Sequence, residues 1–382
     1  MRELLERIEA TDPEGACKCF RDKIRGGEDP VSIHLSLFPV TLRVLNPPFF
    51  NGHMPKMYSL CRNLIPYLSR EEVALLVLLE INEYAKRPLL KLPSVSSLPA
   101  VPFSFTHVEL ALSRKDREEA TILMAAFTEQ NGREELARRI LLLGSGYLDK
   151  SLGHSVSCSA FILREILDQP DQDPLPGLLT ISDFFCNAEI HTTPDVNGAA
   201  ETTSRDGELQ QMLKAVSGKG IINLHHTLTL FAMDRMRHLF KADEYGHLTR
   251  VWTTFIGDKK GELLRFDESA EPPISEEIFS QVFSKRKAEP VLRFLNRHLS
   301  TKEGRRILGR LIIKGVCGLY QGNYDPHYLT GLASALWAME KFWDHPSVAG
   351  NGLFQYLDFY FENLQAKKPG ALGSKPDFLS AP

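Results

Sequence analysis

An all-α fold is what this sequence predicts, and three observations carry it. Apolar residues recur at helical spacing along the chain, as in MRELLERIEA, SREEVALLVLLEINEYAKR, DREEATILMAAFTEQ, GREELARRILLLGSGYL and TKEGRRILGRLIIKGVCGLY. Alternating strand patterns are scarce; HLTRVWTTFIG is the best short candidate, and it too reads as helix. Helix starts are marked in places: Ser69 stands before Glu71 and Glu72, and Thr301 before Glu303, each setting a hydroxyl at the N-cap and acid in the first turn.

Taken in order, the elements include four that begin with a histidine. His53 opens HMPKMYSLCRNL, His154 opens HSVSCSAFILREIL, His226 opens HTLTLFAMDRM and His327 opens HYLTGLASALWAME. The last three carry a hydroxyl three residues on (Ser157, Thr229, Thr330) and an alanine six on (Ala160, Ala232, Ala333); His53 has Lys56 and Ser59 at those places. Residues three, four and seven apart share one helix face, so each segment presents an imidazole, a small polar group and a small residue along one stripe. The spacings of 101, 72 and 101 residues fit no solenoid period, so what recurs is a local motif, several helices offering the same side chains to a shared centre.

Between these helices, Pro88 to Pro102 is too proline-rich for helix and reads as an extended surface crossing. The segment 168–210 holds nine acidic residues against one basic and reads as an acidic loop insertion. From Ala366 the tail AKKPGALGSKPDFLSAP reads as frayed. No clean break divides the rest, which predicts one large helical domain over 1–365, with 366–382 as a flexible tail.

Composition narrows the function. The 382 residues are 43% hydrophobic and 24% charged with a net charge of −3, an ordinary globular balance that favours neither nucleic acid nor membrane as a partner. No basic start precedes an apolar run, and the longest apolar stretch, near Val73 to Ile81, is too short to span a bilayer. Six scattered cysteines suit a reduced, cytoplasmic protein with buried thiols. GxSxG, GxGxxG after a strand, a Walker lysine, HExxH and paired Glu-x-x-His are all missing, which removes the common hydrolase, nucleotide and di-iron signatures.

What remains is the histidines, expected to line a cavity for a small molecule, with coordination of a metal or a haem as the alternative use of clustered imidazoles. A non-enzymatic helical binding protein, in which the histidines cap and pack, is a third class. Tyr324 and Trp337 flank His327 and are candidates to wall an aromatic pocket. Ten basic residues between Lys285 and Lys314 offer a place for a phosphate-bearing cofactor such as NADPH, or a solvated face answering the acidic loop.

NGHMPKM with its following apolar run, LGHSVSCSAFILREI and NYDPHYLTGLASALWAM together resemble segments of questin oxidase-like proteins, in the same order and spanning His53 to Trp343. The resemblance implies an all-α fold and an NADPH-dependent oxidoreductase that opens the ring of an aromatic, polyketide-like substrate by Baeyer–Villiger-type oxygen insertion. On that implication His53, His154, His226 and His327 are the catalytic bases and donors, and Ser157, Thr229 and Thr330 supply secondary hydrogen bonds. Two departures stand out: Lys56 occupies a place where a small residue suits a pocket face, and LHHTLTLF leaves His225 or His226 to face inward, the spacing to Thr229 and Ala232 favouring His226.

Overall fold

The structure, a computed structural model, describes all residues except 49–51, 94–103, 197–204, 258–262, 265–274, 323 and 367–382. Among the described residues it comprises twenty-one α-helices and two 3-10 turns, with an isolated antiparallel bridge between Val44 and Leu89. The all-α expectation therefore holds, and HLTRVWTTFIG lies within the helix Ala242–Ile256. Both predicted caps form: Ser69 and Glu72 make a reciprocal capping box, and Thr301 accepts from the Gly304 N–H.

Four helices matter most for function: His53–Leu64, His154–Asp168, Gly220–Met236 and His327–Lys341. Each packs on two of the others in a closed circuit. They run in the same direction, because their N-terminal residues share one cluster, described below, while Asn63, Arg235 and Trp337 meet at the opposite end. Consecutive helices in short-looped bundles run antiparallel. Here the intervening helices carry the chain back each time, so four N-termini come together.

The circuit is held by apolar contacts and by partly buried ion pairs. Phe161 packs on Phe231 with centroids 5.2 Å apart, and Phe231 stacks on Trp337 at 5.0 Å. Burying each such ring contributes roughly 1.5–3 kcal/mol. Glu165 accepts from Ser59 Oγ at 2.8 Å and from Arg62 at 2.5 Å, tying the first two helices. Asp234 accepts from Trp337 Nε1 at 2.9 Å and Lys341 Nζ at 2.5 Å, tying the last two.

The acidic segment 168–210 departs from its expectation as a loop. Leu175–Ala188 is a helix whose residues Leu178, Leu179, Ile181 and Phe185 are buried, and a second helix begins at Arg205. Its acids gather mainly at the ends of an apolar stretch, LPGLLTISDFF, and that stretch decides the structure. Residues 197–204, at the centre of the expected loop, lie outside the described residues. The extended reading of the proline-rich segment applies at its start, where Leu45 N–H donates to Pro88 O and Leu90 N–H donates to Arg43 O; 94–102 lie outside the described residues. So do 367–382, the greater part of the expected tail.

Candidate metal centre

Two glycines set the approach of the histidines. A Cβ on Gly52 would stand 2.7 Å from Ile162 Cδ1 and 3.3 Å from Cys158 Cβ, so glycine lets the start of the His53 helix press onto the His154 helix without displacing Ile162. Gly153 has φ +75°, and a Cβ there would stand 2.1 Å from Thr229 Oγ1. It follows Leu152 at φ 50°, and the two left-handed residues turn the chain sharply into the His154 helix against its neighbour.

The result is a ring of four buried imidazoles: His53, His154, His225 and His327, each offering one nitrogen, all within 4.8 Å of one another. His53 Nε2 lies 2.7 Å from His154 Nε2, which lies 3.1 Å from His225 Nε2, which lies 3.1 Å from His327 Nε2. Ring centroids of neighbours are 4.5, 4.5, 4.8 and 4.7 Å apart around the circuit, whereas His154 and His327, across it, are 6.2 Å apart.

The far side of three rings is anchored. His154 Nδ1 donates to Ser151 O at 2.6 Å, His225 Nδ1 to Ile221 O at 2.7 Å, and His327 Nδ1 faces Asp325 Oδ1 at 2.7 Å. Two of these partners are carbonyls and the third a carboxylate, all acceptors, so each Nδ1 carries the proton and each Nε2 presents a lone pair inward. Burial, followed by the positive charge of neighbours, holds His53, His154 and His225 well below the ordinary imidazole pKa. Neutral rings with lone pairs face to face repel unless a cation stands between them. Anchored Nδ1–H groups behind convergent Nε2 atoms are also how metal-ligating histidines are oriented.

Of the residues expected from sequence to form the site, His53, His154 and His327 come together and His226 does not. His226 packs edge-on against Phe255 at 4.9 Å, its carbonyl accepts from Trp252 Nε1, and its place in the ring is taken by His225. The helix begins six residues before His226, at Gly220, so His226 is not at its head. Thr229 and Ala232 are four and seven residues from His225, which is as good a helical spacing as three and six, and sequence spacing cannot separate the two.

One turn inside the ring lie Lys56, Ser157, Thr229 and Thr330. Thr229 and Thr330 donate to the carbonyls of His225 and Pro326 on their own helices. Lys56 is fully buried, and its Nζ and the buried Ser157 Oγ have no partner stronger than the neighbouring Cys158 thiol, a weak acceptor. Burial lowers the pKa of Lys56, with Cys158 acting in the opposite direction. Sequence singled Lys56 out only as misplaced; that it is enclosed at this layer was not legible.

Tyr324 is buried against Tyr320 and Tyr328 with centroids 6.5 and 5.7 Å away. Trp337 stands ten residues beyond His327, about 15 Å along the helix. There it lines a separate cleft of about 300 Å³ with Tyr67, Phe231, Arg235 and Lys341. Of the basic stretch expected to meet phosphate or the acidic loop, Arg305 pairs with Glu340, Arg306 with Glu303, and Arg310 and Lys314 with Glu72 and Glu276, none of them in the acidic segment. Cys17, Cys61, Cys158 and Cys186 are buried free thiols, and Cys19 and Cys317 are half-buried. No helix among the described residues is long and apolar enough to cross a membrane. No family model, curated protein or solved structure matches this chain.

Proposed function

We propose that His53, His154, His225 and His327 hold one transition-metal ion through Nε2, and that this ion is the centre of an oxidoreductase. The observation that carries the reading is the convergence of lone pairs: three rings have Nδ1–H groups committed to acceptors, leaving their Nε2 atoms to face one another at 3.1 Å. An all-imidazole set suits iron, copper or zinc, and Asp325 behind His327 raises the basicity of that ligand. Among these, iron and copper carry the redox chemistry that the resemblance to questin oxidase-like proteins supports.

In that reading the ion supplies oxygen activation, for which the chain offers no flavin motif. The substrate class is an aromatic, polyketide-like molecule and NADPH is the electron donor, both resting on the resemblance. Elemental analysis of protein purified without chelators or an affinity metal tests the centre: close to one iron or copper per chain is expected. Less than a tenth, with no uptake on anaerobic addition of Fe(II) or Cu(I), overturns it. NADPH and oxygen consumption with hydroxylated anthraquinones then tests the substrate class.

A further inference from the structure

An ion bound by four neutral imidazoles brings its full charge into the protein interior. No carboxylate among the described residues belongs to the ligand set, since Asp325 touches His327 on the far nitrogen. A buried charge of that kind requires a counter-charge. Of the side chains one turn beneath the ring, Lys56, Ser157, Thr229 and Thr330, Lys56 alone is ionisable, and its charge is of the wrong sign.

The shape of the ring says where an anion fits. Nitrogens about 2.0–2.1 Å from one ion stand about 3.4 Å apart in a tetrahedron and about 2.9 Å apart along the edge of a square. Three neighbouring separations, 2.7, 3.1 and 3.1 Å, are nearer the square's edge, while the spread of the four nitrogens, up to 4.8 Å, is wider than a square's diagonal of about 4.1 Å, so the ring is open and flattened. Four nitrogens in such an open ring would leave room for a further ligand on one face. Lys56 lies three residues beyond His53 and Ser157 three beyond His154, one turn or about 5.4 Å inside the ring.

Resting on the four-histidine reading, we infer that Lys56 Nζ and Ser157 Oγ, two buried donors with only the weakly accepting Cys158 thiol at hand, form a site for a small inorganic anion bound between the ion and Lys56. The anion balances the ion on one side and accepts hydrogen bonds on the other. Its chemical class is that of azide, hydroxide or reduced dioxygen: monovalent, two or three atoms long at most, with a lone pair at each end.

The test uses full-length protein loaded with Cu(II), with azide as the probe, read by the azide-to-copper charge-transfer band and by electron paramagnetic resonance. Loss of one charge-assisted hydrogen bond predicts that Lys56→Met weakens azide binding roughly 10- to 100-fold with copper stoichiometry intact. Ser157→Ala, losing a neutral one, weakens it roughly 2- to 10-fold, and Lys56→Arg restores most of the loss. Circular dichroism and thermal melts of each variant establish that it is folded. Copper bound with unchanged azide affinity in Lys56→Met overturns the anion site and leaves the four-histidine centre standing. Loss of copper from a folded Lys56→Met overturns it differently, making the amine itself a ligand. Wild-type protein that takes up no metal overturns the centre and the anion site together.

Discussion

At His34 a buried imidazole meets a carboxylate; at the ring of four, buried imidazoles meet one another. His34 Nδ1 faces Glu80 Oε2 at 2.9 Å, its ring stacks on Tyr58 at 4.5 Å, and Glu80 also accepts from Tyr84 Oη at 2.8 Å. His34 Nδ1 thus has a carboxylate partner within the chain, while its buried Nε2 has none, and the helices Pro30–Ser36 and Arg70–Tyr84 are joined by the pair. At the ring the same residue type, equally buried, has its inward nitrogens facing other lone pairs. Buried polar groups without a partner cost free energy. In the first arrangement a carboxylate of the chain answers the imidazole; in the second, imidazoles face imidazoles, and the metal ion proposed above is what would complete them. On that proposal, the difference separates a histidine that builds the fold from one that uses it.

The comparison breaks most sharply at the ring. His154→Ala removes the nitrogen that lies beside two others, and metal content falls from near one per chain to below a tenth by elemental analysis, while the far-ultraviolet circular dichroism spectrum is kept. Metal content unchanged in that variant would remove the ring from the function.

Next in size is Glu80→Leu. Breaking a buried pair by removing one partner costs about 3–5 kcal/mol, so urea denaturation should show that loss with metal stoichiometry unaffected. If the metal is lost as well while the protein is folded, the two regions are coupled and the contrast between them fails.

Asp325→Asn sharpens the picture within the ring, because it leaves every inward nitrogen in place and weakens only the support behind His327. The expected effect is roughly 10- to 100-fold in metal affinity by competition with a chelator. An affinity unchanged within twofold would make Asp325 a helix cap alone, through its contact with the His327 N–H at 3.0 Å.

Finally, pH distinguishes the ring by its sign. Folded His53, His154 and His225 have proton affinities well below the ordinary imidazole, whereas the unfolded chain takes up protons as pH falls through about 6.5. Their contribution to stability is therefore complete above about pH 6.5 and declines as pH falls below it, by at most about 1.4 kcal/mol per unit for each histidine. Metal release follows the same direction. Urea midpoints of the metal-free protein between pH 7.5 and 5.5 should fall, and the slope should be shallower in His154→Gln; equal slopes would separate these histidines from the acid sensitivity.

Much of this molecule was legible in its residues. Helical periodicity and the caps at Ser69 and Thr301 appear where they were expected, because both are local: the face that a residue occupies and the N–H that a hydroxyl reaches depend on neighbours within one or two turns. The same locality exposed His53, His154 and His327 as heads of helices with a polar residue one turn on. It failed in 168–210, where counting charge obscured an apolar helix.

The choice between His225 and His226 was beyond the sequence for a different reason. Both satisfy the helical spacing, and the decision belongs to the rotation of the Gly220–Met236 helix, set by Trp252 and Phe255 packing on one side and by the close passage of Gly153 on another. Likewise Lys56 was visible only as a residue out of place. The sequence by itself determined most of the helices and the polar residues that stand one turn inside His53, His154 and His327. Only the tertiary structure decided that four parallel N-termini converge, that their lone pairs meet, and that a lysine is enclosed beneath them. Spacing along a helix is local, whereas direction, rotation and burial are properties of the whole packed assembly.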